Sequence, residues 1–183
     1  MSQIAIVYGS RYGSTRGIAA HMAEKIKEKG KEVLLIDAED KEKVKEAFSG
    51  EIKALILGSS IAISQWTKPM KKIIKLYKDK ILNSDLLAMF VSCGTASDEK
   101  GIEKACNEYV FQFAKDHDLE PKLLAAFGGV YDFSENSKFG MAKGILKKML
   151  EKESPGKYDL NGVNDMRNWK KIDEFIEKIL ENT

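Results

Sequence analysis

Five short runs of apolar residues recur along the chain, and none of them alternates with polar positions. A run that is apolar throughout is typical of a strand buried on both faces of a sheet. The pattern therefore predicts five buried strands, at Ile4–Tyr8, Val33–Asp37, Ala54–Gly58, Leu86–Ser92 and Leu123–Gly129.

The segments between these runs place apolar residues three and four positions apart, as on one face of a helix. The clearest series runs from Ile102 to Phe113, and a shorter one joins Ile18, Met22 and Ile26. Further helices are predicted around Val44–Phe48, Met70–Tyr77 and Ile172–Leu180. Strand and helix alternate, which predicts one doubly wound α/β domain over residues 1–183, with parallel strands and helices on both faces.

The stretch from Val130 to Val163 breaks this rhythm. A helix is predicted inside it, with Lys143, Lys147 and Lys148 on the side away from its apolar face. Gly144 weakens that helix by about 1 kcal/mol relative to alanine. The remainder of the stretch is predicted to be loop. The apolar face comprises Met141, Ala142, Ile145, Leu146, Met149 and Leu150.

Composition excludes several classes of protein. The 30 basic and 28 acidic residues leave a net charge of +2, which argues against a dedicated nucleic-acid binder. Two cysteines and two histidines provide neither a disulfide framework nor a zinc site, and no metal site is predicted. The segment Met1–Tyr8 lacks the basic flank of a signal peptide, and no apolar run is long enough to span a membrane. A cytoplasmic protein is expected.

The loop after the first strand contains small and hydroxyl residues directly before a helix. In an open parallel sheet, ligands bind beyond the carboxyl ends of the strands. Ser10, Ser14 and Thr15 offer hydroxyl groups, and Gly13 allows close approach to a helix start that favours anions. Neither the dinucleotide nor the nucleoside triphosphate glycine motif is present. The loop indicates a phosphate monoester site, and an ordinary helix start is the alternative.

Two further polar loops follow the third and fourth strands, at residues 58–66 and 92–99. Their serines and backbone amides suit the edges of a flat ring. Trp66 either lines that ring or begins the core of the next helix. Cys93 is either a redox-sensitive thiol or a small buried residue, and Asp98 is expected to cap a helix near Glu99.

These three loops, in this order, resemble the FMN-binding loops of the flavodoxin family. The run from Ser10 to Thr15 resembles its phosphate signature, with hydroxyl residues at both ends and a glycine between them. The resemblance covers nearly the whole chain. Residues 11–19, 58–61 and 127–131, with Asn168–Trp169, look most similar to the branch containing bacterial menaquinone-dependent protoporphyrinogen oxidases.

The resemblance implies one non-covalently bound FMN, a flavodoxin-like sheet with strand order 2-1-3-4-5, and electron transfer at an exposed ring edge. It implies no catalytic residue. The phosphate site carries over to Ser10, Arg11, Tyr12, Gly13, Ser14 and Thr15. Ring contacts carry over to Ser60, Ile61, Ala62 and Ile63, and to Ser92, Cys93, Gly94 and Thr95.

The chain departs from the usual flavodoxin pattern at the ring. No aromatic residue occurs between Ser92 and Glu99, where a usual flavodoxin has a stacking tyrosine. Tyr131, Phe133 and Phe139 are the alternatives for covering the ring, or they are core residues.

Three functions remain open at this point. The first is a diffusible flavodoxin-like electron carrier that serves redox partner proteins. The second is an enzyme that oxidises a porphyrinogen or reduces a quinone. The lysines in residues 136–150 would then favour weak association with a membrane surface, and the alternative is that they form an ordinary solvated helix face. The third is a flavin-free interaction module that shares only the fold.

Overall fold

A five-stranded parallel sheet forms the centre of the protein, as seen in a computed structural model that describes residues 4–183. The first three residues of the Met1–Tyr8 segment lie outside that range. The strand order β2-β1-β3-β4-β5 confirms the order implied by the resemblance, and the fold is flavodoxin-like α/β. The strands are β1 (Ile4–Gly9), β2 (Val33–Asp37), β3 (Ala54–Ser60), β4 (Leu86–Cys93) and β5 (Leu123–Gly128).

The prediction that all five strands are buried on both faces is wrong for two of them. Strands β1, β3 and β4 are buried along almost their whole length. Strands β2 and β5 form the two edges of the sheet, so part of each remains accessible, and Leu34 is exposed.

Helices cover both faces of the sheet. On one face, α1 (Ser14–Glu28) and α8 (Trp169–Glu181) pack against Ile4, Ile6 and Phe90. The other face is covered by α2 (Lys41–Ser49), α3 (Lys68–Leu76), α5 (Glu99–Ala105) and α6 (Gln112–Asp116), with the short α4 (Lys78–Leu82) following α3.

The predicted helix from Ile102 to Phe113 contains a π-helical turn at Cys106–Phe111, between α5 and α6. The indole of Trp66 donates a hydrogen bond to the carbonyl of Tyr109 inside this turn, at 2.6 Å. The same indole stacks on Phe113, with ring centroids 4.3 Å apart. A side-chain donor inside the helical ladder is a known cause of such a distortion. Trp66 therefore belongs to the core, which favours the second of the two alternatives for this residue.

Residues 130–167, called the late segment below, form a small unit above the carboxyl edge of the sheet. An antiparallel pair, β6 (Val130–Asp132) and β7 (Val163–Asp165), frames α7 (Ala142–Glu153). Phe133, Phe139 and Leu150 form its own core. The helix was predicted, whereas the strand pair was not.

Helix α7 is oriented differently from the prediction. Met141, Ile145 and Met149 point to solvent, with Met141 96% exposed. Two of the lysines turn inward instead: Lys143 donates to the carbonyl of Ser134, and Lys147 lies over the ring of Phe133. Only Leu146 and Leu150 of the predicted apolar face pack on the segment's core. No helix in residues 4–183 is long and apolar enough to cross a membrane.

Candidate functional site

The loop after β1 leaves the start of α1 open. Gly13 precedes the helix in the left-handed region, with φ +98°, and no side chain caps the helix. Because the first amides of a helix have no intrahelical acceptor, those of Ser14, Thr15 and Arg16 are available to a ligand. By contrast, a side-chain oxygen caps each of α2, α3, α5 and α8, from Asp40, Thr67, Asp98 and Asn168. The prediction for Asp98 is confirmed.

Thr15 carries an unpaired polar atom in this open turn. Its side chain is fully buried, and its Oγ1 has no hydrogen-bond partner among residues 4–183. Leaving a buried hydroxyl unpaired costs about 1–3 kcal/mol. An unpaired buried hydroxyl beside unpaired helix amides is consistent with a site where a bound ligand accepts their hydrogen bonds.

The other two hydroxyl residues of the loop have partners. Ser10 Oγ accepts from the Gly13 amide at 3.1 Å, which tightens the turn. Ser14 Oγ lies 2.9 Å from Ser92 Oγ, at the end of β4. This second contact ties the start of α1 to the loop after β4.

Arg11 ties the β1 loop to the loop after β3. Its guanidinium donates to the carbonyls of Ser60, Gln65 and Trp66, at 2.6, 3.1 and 3.2 Å. Its amide donates to Ser60 Oγ at 3.2 Å. Burial of the guanidinium lowers the pKa of Arg11. The side chain of Arg11 therefore positions the second loop.

The loop after β3 ends in an exposed, strained turn. The amide of Ile61 donates to the carbonyl of Ser92, which extends the β3–β4 pairing, and Ala62 pairs with Gln65 across the turn. Between them, Ile63 and Ser64 have φ values of +50° and +55°. A branched residue rarely adopts this conformation. The side chain of Ile63 is 96% exposed.

The loop after β4 is covered by the late segment. Tyr131 packs so closely on Gly94 that an added Cβ there would lie 1.6 Å from the tyrosine hydroxyl. Thr95 is half-buried beside it. Cys93 is buried, and that burial raises the pKa of its thiol, which supports the small-residue interpretation over a reactive thiol.

Of the three aromatics considered for covering a ring, two are core residues. Phe133 and Phe139 are buried inside the late segment, where Phe139 also meets Tyr12 edge-on at 4.6 Å. Tyr131 lies directly on the β4 loop. Its burial is the main cause that raises its pKa to about 12.

A cavity of about 300 Å³ lies between the β1 loop and the late segment. Tyr12, Gly13 and Ser14 form one wall, and Lys138 and Arg167 contribute to the other. Sequence reasoning did not find Arg167. The one sequence feature that points to Arg167 is Gly17, in the first turn of α1. The Arg167 guanidinium occupies the space that a side chain at this position would fill.

The three predicted loops thus meet at one edge of the sheet, joined by the Arg11–Ser60, Ser14–Ser92 and Ile61–Ser92 contacts. Within residues 4–183, no group of histidine, cysteine and carboxylate side chains could hold a metal ion. Polar loops that converge above the carboxyl edge of a parallel sheet lie at the topological switch point, where open α/β folds place their ligand sites.

The chain belongs to the flavodoxin domain family, whose model matches residues 5–159. No curated protein sequence matches the chain. Among solved structures, it is similar to the rubredoxin oxygen:oxidoreductase of Desulfovibrio gigas, with 13% identity and a TM-score of 0.56 over 100% of this chain and 37% of that one.

Two further structures share the fold. The flavodiiron protein of Giardia intestinalis has 14% identity and a TM-score of 0.52, covering 98% of this chain and 38% of that protein. An NADH:FMN oxidoreductase has 14% identity and a TM-score of 0.53, with 70% and 75% covered. The chain thus spans less than two fifths of the first two proteins. Identities this low establish a common fold and no common activity.

Proposed function

We propose that this chain is an FMN-binding electron-transfer protein, a carrier between redox partner proteins. The observation that supports this most is the open first turn of α1, where three free amides and the buried Thr15 hydroxyl face no partner in residues 4–183. A helix start attracts anions through its amides and its dipole. A phosphate monoester would supply acceptors for this whole set of donors.

The ring of the flavin would lie between the loops after β3 and β4. Ser60–Ile63 and Ser92–Thr95 bring backbone amides and carbonyls to that position, and Ile63 offers an apolar side chain with no packing partner of its own. Arg11 holds the first of these loops in place. Bound FMN would supply the electron-transfer chemistry, while the protein binds and orients it and sets its surroundings.

The most direct test replaces the unpaired hydroxyl of Thr15. Thr15→Val keeps the shape and removes the unpaired oxygen, so the free protein should become more stable by about 1 kcal/mol. The same change should weaken FMN binding, because a donor to the phosphate is lost. Chemical denaturation of the free protein and a fluorescence titration with FMN measure the two effects.

Thr67→Val is the matched control, because the Thr67 oxygen caps α3 through the amide of Met70. That variant should lose about 1 kcal/mol of stability and keep its affinity for FMN. If Thr15→Val instead destabilised the protein and left FMN affinity unchanged, the phosphate site would be misplaced.

Gly13→Asp tests the same loop by charge. An added Cβ at Gly13 meets no atom within 4 Å, but a φ of +98° strains any side chain there, so Gly13→Asn is the uncharged control that carries the same strain. The introduced carboxylate would face the phosphate and abolish FMN binding while the sheet remains folded. An absorption spectrum after FMN addition and desalting shows retention directly, and wild-type protein without flavin bands would refute the proposal.

A second candidate is an oxidoreductase of the same fold that acts on a porphyrinogen or a quinone, as in the branch that the loops resemble. Its specific support is the exposed stripe of Met141, Ile145 and Met149 on α7, flanked by the exposed Lys148 and Lys152. Such a face suits weak contact with an anionic membrane surface. Flotation with vesicles of anionic phospholipid tests it. Loss of binding in Ile145→Glu would support this candidate, and no flotation of wild type would remove its support.

A further inference from the structure

The late segment delivers a cationic side chain to the start of α1. Arg167 lies between β7 and the cap of α8, and its Nη1 stands where a side chain on Gly17 would be, 2.6 Å from an ideal Cβ. Gly17 is one turn into α1, beside the open amides. Arg167 and the β1 loop residues Gly13 and Ser14 line the same cavity.

Two neighbours fix the guanidinium in this position. Asp165 accepts from Nε at 2.8 Å and from Nη2 at 2.5 Å, and the indole of Trp169 lies 4.6 Å from the guanidinium carbon. The Arg167 side chain is only 19% exposed. Nη1 is the remaining nitrogen, and no residue in 4–183 accepts a hydrogen bond from it.

Asp165 offsets part of the Arg167 charge, but its two contacts are with Nε and Nη2 and leave Nη1 unpaired beside the start of α1. The start of a helix carries partial positive charge, and a cation there costs free energy where an anion would stabilise. The first turn of α1 contains no acidic residue. The cavity wall adds Lys138 and one carboxylate, Asp132, which already accepts from the amide and hydroxyl of Ser134. The unpaired Thr15 hydroxyl independently indicates a missing acceptor in the same turn.

We propose that Nη1 of Arg167 binds the terminal phosphate of the flavin nucleotide, so that the late segment selects phosphorylated over unphosphorylated flavin. This inference rests on the proposed function. The loop holds the phosphate through amides and a hydroxyl, and Arg167 supplies the fixed positive charge from the opposite wall of the cavity. Riboflavin, which lacks the phosphate, gains nothing from this residue.

The test compares FMN and riboflavin affinities in charge-matched variants. Arg167→Gln should weaken FMN by about tenfold to a hundredfold, the usual range for a charge-assisted hydrogen bond, and leave riboflavin unchanged. Lys171→Gln removes an equal charge four residues from Arg167, where Lys171 pairs with Glu99 outside the cavity. Its FMN affinity should change less than about threefold.

Gly17→Ala moves the guanidinium without removing its charge. Alanine favours a helix by about 1 kcal/mol over glycine, so α1 should not be weakened. The added methyl group meets the guanidinium of Arg167, which must shift against its contacts with Asp165 and Trp169. We expect the same selective loss of FMN affinity with unchanged riboflavin affinity, while the gain in helix propensity offsets part of the weakened Arg167 contacts in thermal stability.

The possible affinities distinguish failure of the role of Arg167 from failure of the proposed function. Equal losses of FMN and riboflavin affinity in Arg167→Gln would reduce Arg167 to a structural role and overturn the inference. Equal losses of FMN affinity in Arg167→Gln and Lys171→Gln would assign the effect to general charge, which also overturns it. If wild type binds riboflavin as tightly as FMN, the phosphate is not recognised. If wild type binds neither flavin, the proposed function itself fails.

Discussion

The sheet with its helices and the late segment are stabilised in different ways, although both border the candidate site. The sheet has a large core on each face, and Phe90 at its centre is fully buried. The late segment has two strands of three residues each and a core of three buried side chains. A unit that small depends on its contacts with the rest of the protein for stability.

Those contacts are concentrated at the site. Tyr131 packs on Gly94, Phe139 on Tyr12, and Arg167 on Gly17. Two of the three touch a glycine, because the late segment occupies the space that a side chain would fill. The sheet therefore positions the three loops of the candidate site, and the late segment covers them.

The largest expected effect on stability comes from replacing one buried phenylalanine in the sheet and comparing it with one in the late segment. Phe90→Ala should cost about 3–5 kcal/mol of global stability, because it empties the core against Gly58. Phe133→Ala removes an equally buried ring, yet it should mainly loosen the late segment. Global denaturation combined with amide hydrogen exchange measures both.

In the second variant, exchange should accelerate in residues 130–167 and remain slow in β1, β3 and β4. An equal loss of global stability in both variants, with uniform exchange, would show that the late segment unfolds only together with the sheet.

The next effect concerns the contact that holds the late segment on the β4 loop. Gly94→Ala places a methyl group against the Tyr131 hydroxyl, and one of them must move. We expect a loss of about 1–3 kcal/mol by denaturation. In a double-mutant cycle, Gly94→Ala in a Tyr131→Ala background should cost far less. Additive losses would show that the two residues do not interact.

The difference between the sheet and the late segment also explains how much of each could be predicted from the sequence. All five strands were predicted to within two residues, because a continuous apolar run is typical of a strand in a parallel sheet, although the edge strands β2 and β5 are partly exposed. The cap at Asp98 followed from local chemistry. The loops that meet at the site follow from topology alone, since strand ends converge at one edge.

The late segment could not be predicted in the same way. Strands β6 and β7 are each three residues long and pair across about thirty residues, so neither has a detectable period. In α7, periodicity identified a helix and misassigned its buried side. Lys143 lies inward because the Ser134 carbonyl accepts from it, and Lys147 lies over the Phe133 ring; no local pattern contains these tertiary contacts.

A pH titration probes the contact between Tyr131 and the β4 loop, with a smaller expected effect on stability than Gly94→Ala. Burial holds the pKa of Tyr131 at about 12, above its ordinary value of 10. A raised pKa favours the neutral form in the folded protein, so its contribution is complete below pH 10 and is lost as pH rises through 12. We expect the late segment to loosen in that window, as measured by amide exchange and tyrosinate absorbance. Tyr131→Phe should remove the absorbance step, and a step that persists would belong to another tyrosine.

The smallest expected effect concerns Ile63, at the tip of the loop opposite the late segment. Its left-handed backbone is unfavourable for a branched residue, whereas asparagine adopts it readily. Ile63→Asn should therefore stabilise the free protein by up to about 1 kcal/mol. If the exposed side chain covers one face of the flavin, the same variant should bind FMN more weakly. Ser64→Asn relieves the adjacent left-handed residue and removes no apolar contact, so it should leave FMN affinity unchanged. Equal affinities in both variants would show that the strained turn serves the loop's own geometry and not the ligand.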